Sequence, residues 1–434
     1  MGKFTLGICA FLLPCILRWS PLVQADAVTD WNANAGKATI AACIDPLNAS
    51  RLHAMIHIAM HDALNAINRR FQPYALDIRG PSEASAPAAV AIAAHDVLVP
   101  ILNQMQVSQD CIDAGVASVE ADYTAALDAI AEGTPKTQGV LLGHAAAAVI
   151  LDLRVSDGAD ASLVDAAYPQ GTHPGEYRFT PGTSFAFGPE WGNVTPFVLN
   201  DSAQFRPGPP YNVTSKKYAA DFNEIKSLGA KEGSTRTDEQ TEIGLFWQES
   251  SPLIWNRIAR TVSAATELDV WENARLLGLL NMALANGTIG SLEAKYHYKS
   301  WRPVTAIRNA DTDGNSNTEV DRDWEPLATT PPSPDYDATQ AVEAGAAAQV
   351  LKHFFKTDEV SFSTCSLTLL LPEEQCGGAQ EVRRAFSSFT QAAQENGVSR
   401  ILIGVHFRKA VEEGIKHGQK IGNRAVNRFL RPVQ

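Results

Sequence analysis

The sequence lacks several features that mark common classes of protein. It has no excess of positive charge, since 36 lysines and arginines stand against 48 aspartates and glutamates, for a net charge of -12. A chain without a basic face cannot displace counterions from phosphates, which argues against a nucleic-acid partner. Neither a CxxC pair nor an HExxH motif occurs, which argues against a zinc site built from cysteines and against a metalloprotease. Beyond the amino terminus, no run of residues is apolar enough to cross a bilayer.

The first residues, 1–25, have the pattern of an export signal. Lys3 supplies a short positive region, and the apolar run FTLGICAFLLPCIL that follows is too short to span a membrane. Small residues at Val23 and Ala25 predict cleavage after Ala25. We therefore expect a secreted or periplasmic protein that has no membrane association once the signal is removed.

Export changes how the cysteines are interpreted. Cleavage would remove two of the six and leave four, an even number in an oxidising compartment: Cys43, Cys111, Cys365 and Cys376. Four cysteines allow three pairings. We favour Cys365 with Cys376, which closes a short loop, and Cys43 with Cys111.

Helical periodicity dominates the rest of the chain. Apolar residues recur every three to four positions up to about residue 156 and again from 216 to 295. Three more helices are predicted at 338–356, 378–396 and 405–430. Two long segments have no period, 157–213 and 300–337, and are expected to be irregular connections of functional importance. Few stretches alternate with period two, so the prediction is an all-α protein with helical blocks at 26–213 and 214–434.

Two polar patterns suggest metal sites, although a structural role suits each of them better. His53, His57 and His61 recur every four residues and so share one helix face, but their neighbours are apolar, which favours buried structural histidines. Residues 311–323, DTDGNSNTEVDRD, alternate oxygen-bearing side chains as a calcium loop does. Their glycine and their last ligand position do not match such a loop, so a solvated turn is favoured and calcium is only weakly supported.

A third pattern points to an oxyanion site. The segment KYHYKSWRP carries Lys295 and Arg302, and SRILIGVH carries Arg400 and His406, with Gly404 between them. Arginine forks match tetrahedral oxyanions through paired hydrogen bonds, and lysine adds a point charge. Glycine permits a close backbone approach, and a helix beginning near Gly404 would direct free amides at the anion.

These motifs, in this order and about 100 residues apart, resemble the vanadium-dependent haloperoxidases, which share a superfamily with bacterial acid phosphatases and type 2 phosphatidic acid phosphatases. The flanking runs WRPVTAIR, PPSPDY and HFRKAVEEG are similar as well. The resemblance implies two packed helical bundles with long irregular connections and an oxyanion in the carboxyl-terminal half. It also implies that Lys295, Arg302 and Arg400 bind the equatorial oxygens of vanadate, with phosphate as a competing occupant. His406 would be the axial ligand of the vanadium or, in a phosphatase, the nucleophile.

The middle motif departs from the family pattern, which is Pro-Ser-Gly-His. Here Asp337, Ala338, Thr339 and Gln340 occupy those places. At the two oxyanion-binding positions, Ala338 has no hydroxyl and Thr339 replaces a glycine. Gln340 stands at the catalytic position of the acid–base histidine and cannot exchange a proton near neutral pH. Asp337 adds a negative charge that would repel an anion. Other side chains considered as proton relays are His297, Tyr298, Lys299, Asp335 and Asp337.

The expected function is that of an exported haloperoxidase-type protein that binds vanadate and oxidises halide with peroxide, weakened or altered by the loss of the acid–base histidine. One alternative is an acid-phosphatase-like phosphomonoesterase that uses His406 as nucleophile. Another is a non-catalytic relative that binds an oxyanion.

Overall fold

A computed structural model describes residues 26–369, 376 and 381–433. The predicted export signal, residues 1–25, lies outside the described residues. The described part is all-α apart from four short strands, as predicted. Its helices are α1 (Ala27–Ala41), α2 (Pro46–Ile67), α3 (Ala86–Leu102), α4 (Gln109–Asp128), α5 (Thr134–Arg154), α6 (Lys216–Leu228), α7 (Asp238–Phe246), α8 (Ser251–Thr266), α9 (Val270–Tyr298), α10 (Pro303–Arg308), α11 (Thr339–Phe355), α12 (Phe389–Leu402) and α13 (Arg408–Arg428).

Local sequence explains where many of these helices begin. Asp26, Asp45 and Ser108 cap α1, α2 and α4, because each side chain accepts hydrogen bonds from backbone amides that the first turn leaves without partners. Proline at the start of α2 fits the same boundary, since it has no amide hydrogen to satisfy. The predicted irregular segment 157–213 contains only the two-residue strands β1 (Val164–Asp165) and β2 (Ala186–Phe187) and one short 3-10 turn.

The long helix α9 joins the two halves of the fold. It packs against α2 on one side and against α11 and α13 on the other, and most of its residues are buried. One large apolar core runs through both bundles, and a smaller one lies around Trp301, Tyr336 and Phe407. Lys295 lies in the last turn of α9, so the helix that carries it is fixed from both sides.

Helices α11 and α13 approach each other unusually closely because glycines line their contact. A Cβ atom on Gly418 would lie 1.8 Å from the carbonyl oxygen of Val342, and one on Gly414 would lie 2.9 Å from that of Ala338. Neither distance is tolerable for a side chain. The first turn of α11, which carries the altered motif, is therefore held directly against the backbone of α13.

One predicted helix is wrong over residues 381–388, the first part of it that the structure describes. Residues 378–396 were expected to be helical, but Arg383–Phe386 form strand β4, which pairs antiparallel with β3 (Phe362–Cys365). Helix α12 starts only at Phe389, where Ser388 accepts the amide of Gln391. Cross-strand pairing and the contact of Phe362 with Phe386, whose ring centroids are 5.4 Å apart, override the helical pattern.

Both favoured disulfides are present. Cys43 is bonded to Cys111 and connects α1 to α4, and Cys365 is bonded to Cys376. Within the described residues, no helix combines the length and apolarity that a membrane crossing requires.

Candidate oxyanion site

Three buried cations and one imidazole meet at the ends of four elements. Lys295 lies in the last turn of α9, Arg302 is the residue before α10, and Arg400 lies in the last turn of α12. His406 follows in the turn between α12 and α13. Their exposed fractions are 2%, 1%, 8% and 5% in that order. We call these four residues the cationic site.

The loop that precedes α11 holds two of the cations in place. Arg302 donates from Nε to the carbonyl of Ser333 at 2.6 Å and from Nη2 to its hydroxyl at 3.0 Å. Lys295 donates from Nζ to the carbonyls of Pro334 and Asp335, both at 2.9 Å. These neutral partners fix the direction of each side chain without cancelling its charge.

His406 is oriented by a carboxylate. Its Nδ1 lies 2.9 Å from Oδ1 of Asp335, and its Nε2 lies 3.0 Å from Nη1 of Arg302. Nδ1 faces the Asp335 carboxyl, whose pKa burial raises to about 7, and the lone pair of Nε2 accepts a hydrogen bond from Nη1 of Arg302. Burial, followed by the charges of Arg302 and Lys295, holds the pKa of His406 well below its usual value, so the imidazole is neutral. Sequence reasoning considered Asp335 only as a proton relay.

The cationic site contains more positive than negative charge. Among the described residues, none of its lysine and arginine side chains has a carboxylate oxygen within 4.0 Å. Burial lowers the pKa of Lys295 well below its usual value and that of Arg400 to about 9, with the charge of Arg302 adding to both effects. Charges buried without partners destabilise the fold, and an anion bound among them would remove that penalty.

Arg400 also has little hydrogen-bonding support. Its only bond in the described structure is a long one, 3.4 Å from Nη1 to the carbonyl of Trp247. One helical turn earlier, Asn396 is fully buried, and neither its amide nitrogen nor its amide oxygen has a partner among the described residues. The guanidinium of Arg400 and the side-chain amide of Asn396 therefore both have donors or acceptors without a partner among the described residues.

Among the described residues, no hydrogen bond or ion pair joins the altered motif to the cationic site, although the charge of Asp337 acts on Lys295. Ala338 caps α11 without a side-chain bond, and its amide donates to the carbonyl of Ala410. The hydroxyl of Thr339 lies 2.9 Å from that of Ser291, and Gln340 donates to the carbonyl of Glu249 at 3.2 Å. The oxyanion and catalytic roles assigned to these three positions stay predictions.

Asp337 has partners of its own. It is fully buried, accepts a hydrogen bond of 2.7 Å from Ser291, and lies 2.8 Å from Nδ1 of His417 on α13. His417 thus gives the buried Asp337 a second hydrogen-bonding partner besides Ser291. Sequence reasoning missed His417, because a single histidine within a helix gives no sign of its partner 80 residues away.

The remaining candidates have structural roles. His53, His57 and His61 are buried in α2, and burial lowers the pKa of His53 to about 3 and of His57 to about 4. Their partners include Thr39, Asn32 and Asp62. In the suspected calcium loop, Asp313 accepts bonds from the Asn315 amide and the Thr318 hydroxyl, and Asp311 pairs with Arg322. Among the described residues, no three carboxylate, histidine or cysteine ligand atoms converge there.

Gly404 has a structural role that sequence reasoning misassigned. Its φ of +82° lies in the left-handed region, and an added Cβ would come within 2.5 Å of the Gly229 carbonyl and 2.8 Å of Pro326. The close backbone approach is therefore to these residues. Helix α13 begins at Arg408 and not near Gly404.

Comparison with known proteins connects this architecture to one family. Residues 275–434 match the family model of the VCPO second helical-bundle domain. The vanadium chloroperoxidase of Curvularia inaequalis is 24% identical over 281 residues, which cover 51% of this chain and 45% of that protein, just under half its length.

Solved structures extend the likeness to nearly the whole fold. A bacterial vanadium-dependent iodoperoxidase has a TM-score of 0.74 at 23% identity and covers 94% of this chain and 98% of its own. The holo-type structure of a bacterial vanadium-dependent chloroperoxidase has a TM-score of 0.70 at 17% identity, with coverages of 90% and 94%. At these identities, the structures establish the shared fold.

Proposed function

We propose that the chain, which is similar to the vanadium haloperoxidases over residues 275–434, is an exported haloperoxidase-type enzyme that binds vanadate in the cationic site and oxidises halide with peroxide. The observation that carries the proposal is the group of three buried cations without carboxylate partners beside a neutral imidazole. Two disulfides support export, since such bonds persist in oxidising compartments.

The residues present fit vanadate. Lys295, Arg302 and Arg400 offer positive charge that no ion pair within the described structure offsets, and Nε2 of His406 offers a lone pair. When bound, vanadate supplies the centre at which peroxide is activated. The cations would hold its oxygens and neutralise their charge, and Asp335 would keep the proton of His406 on Nδ1 so that Nε2 faces the ligand.

The chain provides less for proton transfer than for anion binding. Gln340 can donate a hydrogen bond but cannot act as an acid or base, and such a group contributes roughly 10²–10⁴-fold in rate. We therefore expect that the chain binds vanadate, but that its peroxidase turnover is weaker than, or different from, that of an enzyme with the acid–base histidine. Peroxide and halide are the proposed small-molecule substrates.

A second function, phosphomonoester hydrolysis, is favoured by one observation. The carboxylate of Asp335 on Nδ1 of His406 is the arrangement that orients and activates a nucleophilic histidine. Phosphate resembles vanadate in charge and shape, so the same cations would bind a phosphomonoester. Binding of either anion without turnover would instead identify a non-catalytic relative.

The test combines calorimetric titration and two assays on the purified protein. Orthovanadate should bind, and peroxide-dependent oxidation of iodide or bromide should require it. His406→Ala should lose both, whereas His353→Ala, which removes an exposed histidine from α11, should lose neither. Release of phosphate from a phosphomonoester, inhibited by vanadate, would favour the second function. Full binding and activity in His406→Ala would refute the assignment of the site.

A further inference from the structure

Ser333 carries a hydroxyl directly beside the cationic site. It is 6% exposed, and its oxygen accepts the hydrogen bond from Nη2 of Arg302 at 3.0 Å. The other end nitrogen of the same guanidinium, Nη1, faces Nε2 of His406 at 3.0 Å. The guanidinium is rigid and planar, so the Ser333 hydroxyl and Nε2 of His406 both lie beside the terminal nitrogens of Arg302.

The proton of this hydroxyl is uncommitted. A serine hydroxyl can accept through its lone pairs and donate one hydrogen at the same time. Arg302 uses a lone pair, and no residue in the described part of the chain accepts the hydrogen. A buried donor of this kind is uncommon unless a ligand or water satisfies it.

The other hydroxyl near the motif is already engaged. Thr339 lies 2.9 Å from Ser291, which in turn donates to Asp337 at 2.7 Å. Ala338, which stands where the related motif has serine, has no hydroxyl and is fully buried. Among the described residues, Ser333 is the hydroxyl that contacts Arg302 directly and still has a hydrogen to donate; the hydroxyls of Tyr177 and Thr330 also lack partners, but neither is hydrogen-bonded to the cationic site.

We infer that Ser333 is an oxyanion-binding residue, which donates its hydroxyl hydrogen to the same anion oxygen that Arg302 binds and so replaces the hydroxyl absent at Ala338. The inference rests on the proposed function and assigns a further binding residue to that site. It applies to any tetrahedral oxyanion held there, vanadate or phosphate.

Titration calorimetry with orthovanadate and with inorganic phosphate tests the assignment. Ser333→Ala should weaken the binding of both anions by about tenfold or more, because a hydrogen bond to a charged acceptor is lost. The matched control is Ser366→Ala, which removes another fully buried hydroxyl whose hydrogen is committed to the Phe246 carbonyl at 2.6 Å. Anion affinity should not change in the control.

A second substitution separates anion binding from support of Arg302. In the Ser333→Ala background, Ala338→Ser should recover most of the lost affinity if the missing element is a hydroxyl on the anion. No recovery, in a variant whose circular dichroism matches the wild type, would assign the loss to a displaced Arg302 and overturn the inference. Equal affinity of Ser333→Ala and wild type would overturn it as well, while leaving the proposed function intact. If the wild type binds neither anion, both proposals fail.

Discussion

Replacing Arg400 by methionine is expected to stabilise the ligand-free protein and abolish its oxyanion binding. In the absence of an anion, this side chain keeps a positive charge in the interior with only one long hydrogen bond, 3.4 Å to the Trp247 carbonyl. Methionine preserves much of the aliphatic volume and removes the charge. A residue kept for binding would in this way lower the stability of the empty site.

The size of the effect follows from the pKa. Burial, and then the charge of Arg302, lower the pKa of Arg400 from 12.5 to about 9. At neutral pH that displacement corresponds to a destabilisation of at most roughly 5 kcal/mol. The lost bond to Trp247 offsets about 1 kcal/mol of the gain. Apolar replacements of buried charged groups typically stabilise by about 1–4 kcal/mol, and we expect Arg400→Met to fall in that range.

Urea unfolding in phosphate-free buffer, followed by circular dichroism, measures the change, and orthovanadate titration measures the binding. Arg408→Met is the control, because Arg408 is partly exposed and paired with Glu224 at 2.7 Å. Exposed pairs contribute about 0–1 kcal/mol, so this variant should be unchanged or slightly less stable. A clear loss of stability in Arg400→Met, or vanadate affinity equal to that of the wild type, would refute the description of Arg400 as an uncompensated charge.

Three further predictions concern groups around the site. His417→Gln should lower the free energy of unfolding by about 1.5–3 kcal/mol, because it removes the imidazole from Asp337 and leaves Ser291 as the remaining partner. Adding Asp337→Asn should restore much of that loss in the same urea assay, and additive losses would contradict the pairing. Burial raises the pKa of Glu343 from 4.5 to about 8, so the stability it contributes is complete below pH 4.5 and is lost as the pH rises through 8. Relative to Glu343→Gln, the free energy of unfolding of the wild type should therefore fall by up to about 5 kcal/mol between pH 4.5 and 8. Parallel pH profiles of the two proteins would contradict this contribution of Glu343. Gln340→His should raise peroxidase or phosphatase turnover by about 10²-fold if only proton transfer is missing; no gain in a variant that still binds vanadate would show that the motif is not limiting.

The sequence was sufficient for the helical class and for the cationic side chains. Helical periodicity extends over long stretches, and the residue type alone identifies charged side chains such as Arg302 and Arg400. Strand β4 was not predictable, because its pairing with β3 depends on contacts across some 20 residues of chain. The favoured disulfides were correct, and they had been chosen among the three pairings that four cysteines allow on the expectation of export.

The partners of the cationic residues could not be predicted in the same way. Backbone carbonyls of Pro334 and Asp335 hold Lys295. Because every residue has a carbonyl, the sequence does not indicate which ones will act as partners. Asp335 and His406 are 71 residues apart, and their contact depends on the path of a loop without period. The sequence thus indicated which groups carry charge, whereas the fold determined which of them remain without counter-charge.

The contact of α11 with α13 implies that backbone packing, as well as side-chain hydrogen bonds, holds the altered motif in place. Gly414 and Gly418 let the carbonyls of Ala338 and Val342 lie against α13, so the register of the first turn of α11 depends on positions some 80 residues away. Side chains at 338–340 can then be exchanged while the backbone stays in place, whereas Asp337 is also held by its bonds to Ser291 and His417. A bulkier residue at Gly418 would push the first turn of α11 away from α13. The geometry of residues 337–340 would then change although Gly418 is not part of the altered motif.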